Sequence, residues 1–212
     1  MRSRAGYTLV EVLISVTFLA LLAGTIASMT TLGARSYNSS SVGSHLVLSA
    51  RRALDRITDE LGLADAADLA ILPGRPLWDD RVEFDRVSDV DGADGSVSWT
   101  RTRIALEYAP GELNDGVDND GNGLVDDRVV MLTTDLGGPN ERRRVLVRNV
   151  AEFHEREREN ALDDNGNGLA DERGLCFDRV GNVLTIRLTL QRADGDGRTV
   201  SQTLTTAMRM RN

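Results

Sequence analysis

The sequence predicts an α+β protein in which a long N-terminal α-helix packs against an antiparallel β-sheet head. Three observations predict it. From Tyr7 to Leu32 the only charged residue is Glu11, so the chain opens on a long apolar segment. Leu46, Ala50, Ala53, Leu54, Ile57 and Leu61 then recur at spacings of three and four, the period of one helical face. Beyond Pro73 the period falls to two, most clearly where Leu184, Ile186, Leu188 and Leu190 alternate with Thr185, Arg187 and Thr189.

The elements follow in order along 212 residues. Residues 1–6 are short and basic, with Arg2 and Arg4. Residues 7–32 form the apolar helix: a hydrocarbon core of about 30 Å needs about 20 helical residues, and Val12 to Met29 with its flanks approaches that length. The two arginines hold the N-terminus in the cytoplasm by the positive-inside bias, which sends the rest of the chain outward. Residues 33–72 continue as an amphipathic stalk, loosened or kinked at Gly33 and over Ser36 to Gly43, and closed by Pro73 with Gly74. Residues 73–212 form the β-rich head. Its strand candidates are 98–108, 129–134, 145–153, 184–190 and 199–210, and Asp-Gly-Asp-Gly at 194–197 supplies a hairpin turn between the last two.

An ordinary secretory signal also has a basic start and an apolar core, with cleavage after small residues such as Ala23 or Ala27. Glu11 argues against it. A carboxylate inside an apolar segment costs roughly 2.5 kcal/mol or more and persists where it has a partner. The run Gly6-Tyr7-Thr8-Leu9-Val10-Glu11-Val12-Leu13-Ile14-Ser15 resembles the class III signal of type IV prepilins and type II secretion pseudopilins. That resemblance implies cleavage by a prepilin peptidase between Gly6 and Tyr7 on the cytoplasmic face, and methylation of the new N-terminus. Tyr7 stands where members of the family usually carry Phe. The resemblance also implies that Glu11, fifth in the mature chain, pairs with the N-terminal amine of a neighbouring subunit in a filament, where low dielectric strengthens their attraction.

More diffusely, Ala50 to Ile57, Arg144 to Phe153 and the final Met208 to Asn212 resemble the PilW and GspJ (PulJ) type of minor pilin or pseudopilin. Membership implies a single-pass inner-membrane protein with a periplasmic head that enters a filament. Its partners would be other minor pilins or pseudopilins, the major pilin and the inner-membrane assembly platform.

Composition bounds the remaining functions. With 33 acidic against 25 basic residues and a formal charge of −8, the head offers no basic face, so no nucleic-acid partner is expected. Every basic residue is Arg, which points to a GC-rich genome more than to multidentate hydrogen bonding. Cys176 is the single cysteine, which rules out an intramolecular disulfide, and its neighbours Leu175 and Phe177 mark it as a packed apolar residue. His45 and His154 read as surface histidines, and no nucleophile, base and orienting group occur together, so no enzyme is expected.

The head contains an internal repeat. Asp118-Asn119-Asp120-Gly121-Asn122-Gly123-Leu124-Val125-Asp126-Asp127 matches Asp163-Asp164-Asn165-Gly166-Asn167-Gly168-Leu169-Ala170-Asp171-Glu172 without a gap, within loops spanning 114–127 and 160–172. Calcium takes six to eight oxygen ligands in an adaptable shell, and alternating oxygen side chains around a turn-permitting Gly supply one. The expected ligands are Asp118, Asp120, Asn122, the Leu124 carbonyl and Asp126 in the first loop. In the second they are Asp163, Asn165, Asn167, the Leu169 carbonyl and Asp171. Asp127, Glu172, Asn114, Asp115 and Asn160 are available to complete the shells. The start of each loop resembles an EF-hand, but Val129 and Gly174 stand where its bidentate Glu belongs, and the match is closer to shortened Asp-rich calcium repeats of extracellular proteins. Solvated turns are the plain alternative, since Asp, Asn and Gly favour turns; a second copy in the same register weighs against it. Asp89, Asp91 and Asp94 lack that order and read as an ordinary turn.

Two functions fit: a structural subunit of a type IV pilus or type II secretion filament with a calcium-stabilised head, or a calcium-dependent adhesin displayed at a filament tip.

Overall fold

A computed structural model describes residues 7–64, 78–195 and 197–210. The chain is α+β: among the described residues, helix α1 (Leu9–Leu61) is followed by eight strands in one antiparallel sheet. It divides into two compact units, Met1–Ser41 and Val42–Asn212.

In the first unit, α1 has no buried residue and is long and apolar enough to cross a membrane. Between Ser15 and Thr31 its hydroxyls bond back to the helix itself. Ser15 and Thr17 donate to the Glu11 and Leu13 carbonyls at 2.7 and 2.8 Å, and Thr25, Ser28, Thr30 and Thr31 make similar bonds three or four residues back. Such back-bonding lets polar residues sit in an apolar helix at little cost. The helix begins with a capping box. Thr8 donates from its backbone N–H and from its hydroxyl to Glu11 Oε2 at 2.9 and 3.0 Å, and the Glu11 N–H reaches the Thr8 hydroxyl at 3.3 Å. Helical assignment runs unbroken through Gly33 and Ser36 to Gly43, where a kink or loosening was expected.

In the second unit, the buried residues of α1 are the six of the expected face: Leu46, Ala50, Ala53, Leu54, Ile57 and Leu61. They share one core with Val82, Phe84, Ile104, Leu132, Phe177, Ile186 and others from the sheet. The helix ends earlier than the Pro73 signal implied. Gly62 takes the Thr58 carbonyl at 2.8 Å, and Leu63 and Ala64 close tighter turns onto Glu60 and Leu61. Pro73 and Gly74 lie outside the described residues.

The strands are β1 (Trp78–Asp79), β2 (Arg81–Val90), β3 (Val97–Tyr108), β4 (Arg128–Thr134), β5 (Arg142–Val150), β6 (Leu175–Val180), β7 (Val183–Ala193) and β8 (Thr199–Arg209). The order is β1-β6-β7-β5-β4-β3-β2, with β8 on the other edge of β7. Five strands match expected segments; β1, β2 and β6 were not foreseen. Asp91 and Asp94 form the expected turn between β2 and β3, whereas Asp89 belongs to β2 and pairs with Ser98. The β7–β8 turn closes between Asp194 and Arg198, with Gly197 at φ 74°; Asp196 lies outside the described residues.

One edge of β7 serves two strands in succession. β5 meets it at Val150 opposite Leu190, and β6 takes over from Leu175 opposite Leu188, running in the same direction. Residues 151–174 are therefore an excursion from a nearly continuous edge. Thr189 pins both ends, donating its N–H to the Gly174 carbonyl at 2.7 Å and accepting the Ala151 N–H at 3.0 Å. Only glycine fits the crossing, because a Cβ at Gly174 would overlap the Ala151 carbonyl.

Asp79 in β1 is buried, and its Oδ2 lacks a hydrogen-bond partner. Burial first, then the neighbouring Asp80, pushes its carboxyl up to about 6, against the pull of Arg81 at 3.8 Å. A folded-state pKa above the ordinary 3.8 means that the fold favours the protonated form. The stabilisation is present below pH 3.8 and is lost as pH rises through about 6. Asp79→Asn is expected to raise stability at pH 7 by on the order of 2 kcal/mol and to change little at pH 4. Melting curves of parent and variant at the two pH values check this; an equal shift at both would refute it.

Candidate metal centre

The repeat in three dimensions is longer than the matched ten residues. Loop 1 joins β3 to β4, loop 2 is the excursion between β5 and β6, and the two correspond position for position at a constant offset from Glu107/Glu152 to Arg128/Arg173. At the base of each, a residue bonds across the loop: the Ala109 N–H to the Asp127 carbonyl at 3.0 Å, the His154 N–H to the Glu172 carbonyl at 2.7 Å. An arginine then covers an aromatic ring, Arg128 over Tyr108 at 4.0 Å and Arg173 over Phe153 at 4.3 Å. Both arginines converge on Glu152 Oε1, at 3.2 and 2.8 Å.

The turns themselves are built by side chains capturing backbone N–H groups. Asp118 accepts from Gly121, Asn122 and Gly123 at 2.8, 3.1 and 2.8 Å, and Asp163 accepts from Gly166, Asn167 and Gly168 at 2.6, 3.1 and 2.7 Å. These bonds, led by Gly168, hold the Asp163 carboxyl below its usual range. Asp120 and Asn165 each accept, at 3.0 Å, the N–H two residues on. Asn122 and Asn167 do the same for Leu124 and Leu169, at 2.8 and 2.9 Å. Leu124 and Leu169 bury their side chains, Leu169 against Trp78 and Cys176. Asp126 and Asp171 sit at φ 50° and 53° and point back to the loop entrance. Asp126 accepts from Asp115 and Gly116, and Asp171 from Asn160 and Ala161.

Of the expected ligands, the structure draws Asp120 into a carboxylate cluster and commits the carboxylates of Asp118 and Asp126 to backbone N–H groups. The cluster is Glu112, Asp120 and Asp127, one oxygen from each lying within 4.8 Å of the other two. Glu112 and its counterpart Glu157 are the residues that sequence reasoning missed. Both are buried, and both reach into the turn: Glu112 Oε1 accepts from Asn119 and Asp120, and Glu157 from Asn165 and Asp171. The available signal was a Glu six residues before the first Asp in both copies.

Asp127 and Glu172 are nearly inaccessible, and burial pushes both carboxyls up, opposed by a hydrogen bond from Asn122 or Asn167. The charges of Asp120, Glu112 and Asp118 raise Asp127 further, and that of Glu157 raises Glu172. Glu112 Oε2 and Glu172 Oε2 are buried with no hydrogen-bond partner. A buried oxygen left without a donor costs about 1–3 kcal/mol, more when charged. A hard cation among these oxygens would relieve that cost, so the residues present fit one.

His154 is a correction. Expected at the surface, it is buried beneath loop 2, its Nδ1 3.0 Å from the Thr189 hydroxyl. Burial first, then the Arg187 charge, lowers its pKa, which suits a neutral structural role. His45 is exposed, as expected. Cys176 is fully buried, and burial pushes its thiol up to about 12, consistent with a packed and unreactive residue. Glu11 and Tyr7 lie at the start of α1; Gly6 lies outside the described residues. Comparison with models of known families, with curated proteins and with solved structures finds no match for this chain.

Proposed function

We propose that this chain is a minor pilin or pseudopilin, a structural subunit of a type IV pilus or type II secretion filament with a calcium-stabilised head. One observation carries the reading: the Gly6 to Ser15 run leads into a long apolar stretch in which Glu11 is the only charged residue from Tyr7 to Leu32, and Glu11 lies in the first turn of α1. In a filament, neighbouring helices would cover the exposed side chains from Leu9 to Leu32. Before assembly a bilayer would do so, with the head in the periplasm. The β-sheet head, with irregular acidic loops at one end, suits a low-copy subunit of a priming or tip complex better than a densely stacked major one. Glu112, Asp120 and Asp127 in loop 1, and their counterparts in loop 2, are the residues to hold calcium, with the Asn122 and Asn167 side chains beside them. The ion would neutralise carboxylates that otherwise repel one another.

The test is processing. Mass spectrometry of protein extracted from membranes is expected to find a mature chain that begins at Tyr7 and carries a methyl group on its N-terminus. A chain beginning near Ala27 would overturn the reading. A second function, calcium-dependent adhesion at a filament tip, is favoured by the exposed apolar residues Leu113, Val117, Val125 and Leu162 on the loops. Loss of filaments on deletion supports the first, and surface binding with filaments intact supports the second.

A further inference from the structure

We infer that the two loops hold cations unequally: loop 1 is the strong site and depends on the ion, while loop 2 is weak because an amide and an arginine occupy the electrostatic place of a cation. This rests on the calcium reading above and goes beyond it by assigning different roles to two copies of one motif.

The difference begins at Asp120 and Asn165, equivalent positions with equivalent backbone bonds of 3.0 Å to the N–H two residues on. Each Oδ1 is thereby accounted for, and what remains is an oxygen in loop 1 and an NH2 group in loop 2. Around Asp120 the acidic side chains outnumber the donors that reach them. Glu112, Asp120 and Asp127 bring three carboxylates together, and Glu112 Oε2 has no donor. Glu112 is only 5% exposed, so water relieves little of that charge.

Loop 2 is closer to self-sufficiency. Glu157 uses both oxygens on backbone N–H groups, Oε1 on Asn165 at 2.9 Å and Oε2 on Asp171 at 2.8 Å. Glu112 uses only Oε1 in this way. The buried groups left over in loop 2 are Asn165 Nδ2 and Glu172 Oε2, a donor beside an acceptor, whereas the carboxylate oxygen left over in loop 1 is the acceptor Glu112 Oε2. A positive charge is also at hand, since Arg187 lines the same cavity as Asn165 and Asn167. Four carboxylates at corresponding positions (Glu112, Asp118, Asp120, Asp127) thus face three and an amide (Glu157, Asp163, Asn165, Glu172). Calcium affinity follows the charge count of the ligands, so loop 1 binds more tightly.

The experiment is calcium titration, by calorimetry, of the full chain in detergent micelles after chelator treatment and dialysis, with circular dichroism confirming the fold of each variant. The parent is expected to show a strong and a weak step. Asp120→Asn removes the strong step, and Asn165→Asp strengthens the weak one by roughly tenfold. The second variant gains affinity, which a folding defect does not mimic. Two equal steps in the parent, survival of the strong step in Asp120→Asn, or no gain in Asn165→Asp would each overturn the inequality while leaving calcium binding intact. No uptake at millimolar calcium would overturn the calcium reading together with it.

Discussion

Chelation of calcium is expected to lower the melting temperature of this protein by about 5–10 °C. An ion that binds only the native state adds RT ln(1 + [L]/Kd), about 2.7 kcal/mol at a hundredfold excess over Kd, and each kcal/mol is worth about 2–4 °C in a chain of this size. Magnesium is expected to restore little, because that smaller ion demands a regular octahedron and gives up its waters reluctantly. Asp127→Asn sharpens the test. Asp127 Oδ1 accepts from the Asn122 amide at 3.1 Å, a bond the variant can keep, so the substitution removes charge more than structure. With calcium present the variant should be less stable than the parent, because a ligand charge is gone. In chelator it should be at least as stable, because a buried carboxylate no longer repels Glu112 and Asp120. A melting curve indifferent to chelator, with the same sign for the variant in both conditions, would return the loops to ordinary acidic turns.

Glu11→Leu is expected to leave membrane insertion intact or improved and to abolish entry into filaments. Removing a carboxylate from an apolar segment lowers the cost of insertion by roughly 2.5 kcal/mol. The capping box gives Glu11 a second role, since its carboxylate holds the Thr8 N–H and hydroxyl at the start of α1. Loss of a cap costs about 1 kcal/mol, so a defect in Glu11→Leu alone does not separate the two. Glu11→Gln does: a glutamine keeps the acceptor that a capping box needs and lacks the charge that a neighbouring N-terminal amine would seek. Filament recovery at equal expression reads the outcome. Failure of both variants supports charge pairing between subunits, and normal assembly of Glu11→Gln would show that the cap alone matters.

What the sequence revealed depended on how many faces each element buries. The helical face from Leu46 to Leu61 was legible residue by residue because one side meets the core and the other is charged. β7 was legible for the same reason, with Leu184 and Ile186 buried between partly exposed neighbours. β6 was hidden because both its faces are covered. Leu175 and Phe177 enter the main core while Cys176 faces Trp78 and Leu169, so no alternation survives. β2 buries only Val82 and Phe84 before its pattern fades into the exposed Ser88, Asp89 and Val90. The helix end was misplaced because Pro73 and Gly74 are strong punctuation, whereas the chain had already turned at Gly62.

The candidate site was half legible. Ten aligned residues located both turns, but those residues include the ones that fold the loop, and sequence spacing does not distinguish a carboxylate that captures N–H groups from one left facing other carboxylates. Glu112 and Glu157 fell outside the window because they enter from the loop base, through the turns that tie Glu112 to Ala109 and Glu157 to His154. His154 was misread because its charged neighbours hid a ring that packs beneath the excursion.

The meeting of Arg128 and Arg173 on Glu152 bears on how this pair of loops can diverge. Copies of a duplicated segment usually drift apart, each tolerating its own substitutions. Here the copies share one counter-ion, so losing either arginine changes the charge balance felt by the other, and losing Glu152 leaves Arg173 with Glu159 at 3.6 Å and Arg128 with the Tyr108 hydroxyl at 2.7 Å. The three residues form a single heritable unit spread over separate parts of the chain. Distant relatives should therefore be recognisable by this linked triad, two arginines each beside an aromatic residue and one acid between them, after the loops have changed beyond alignment.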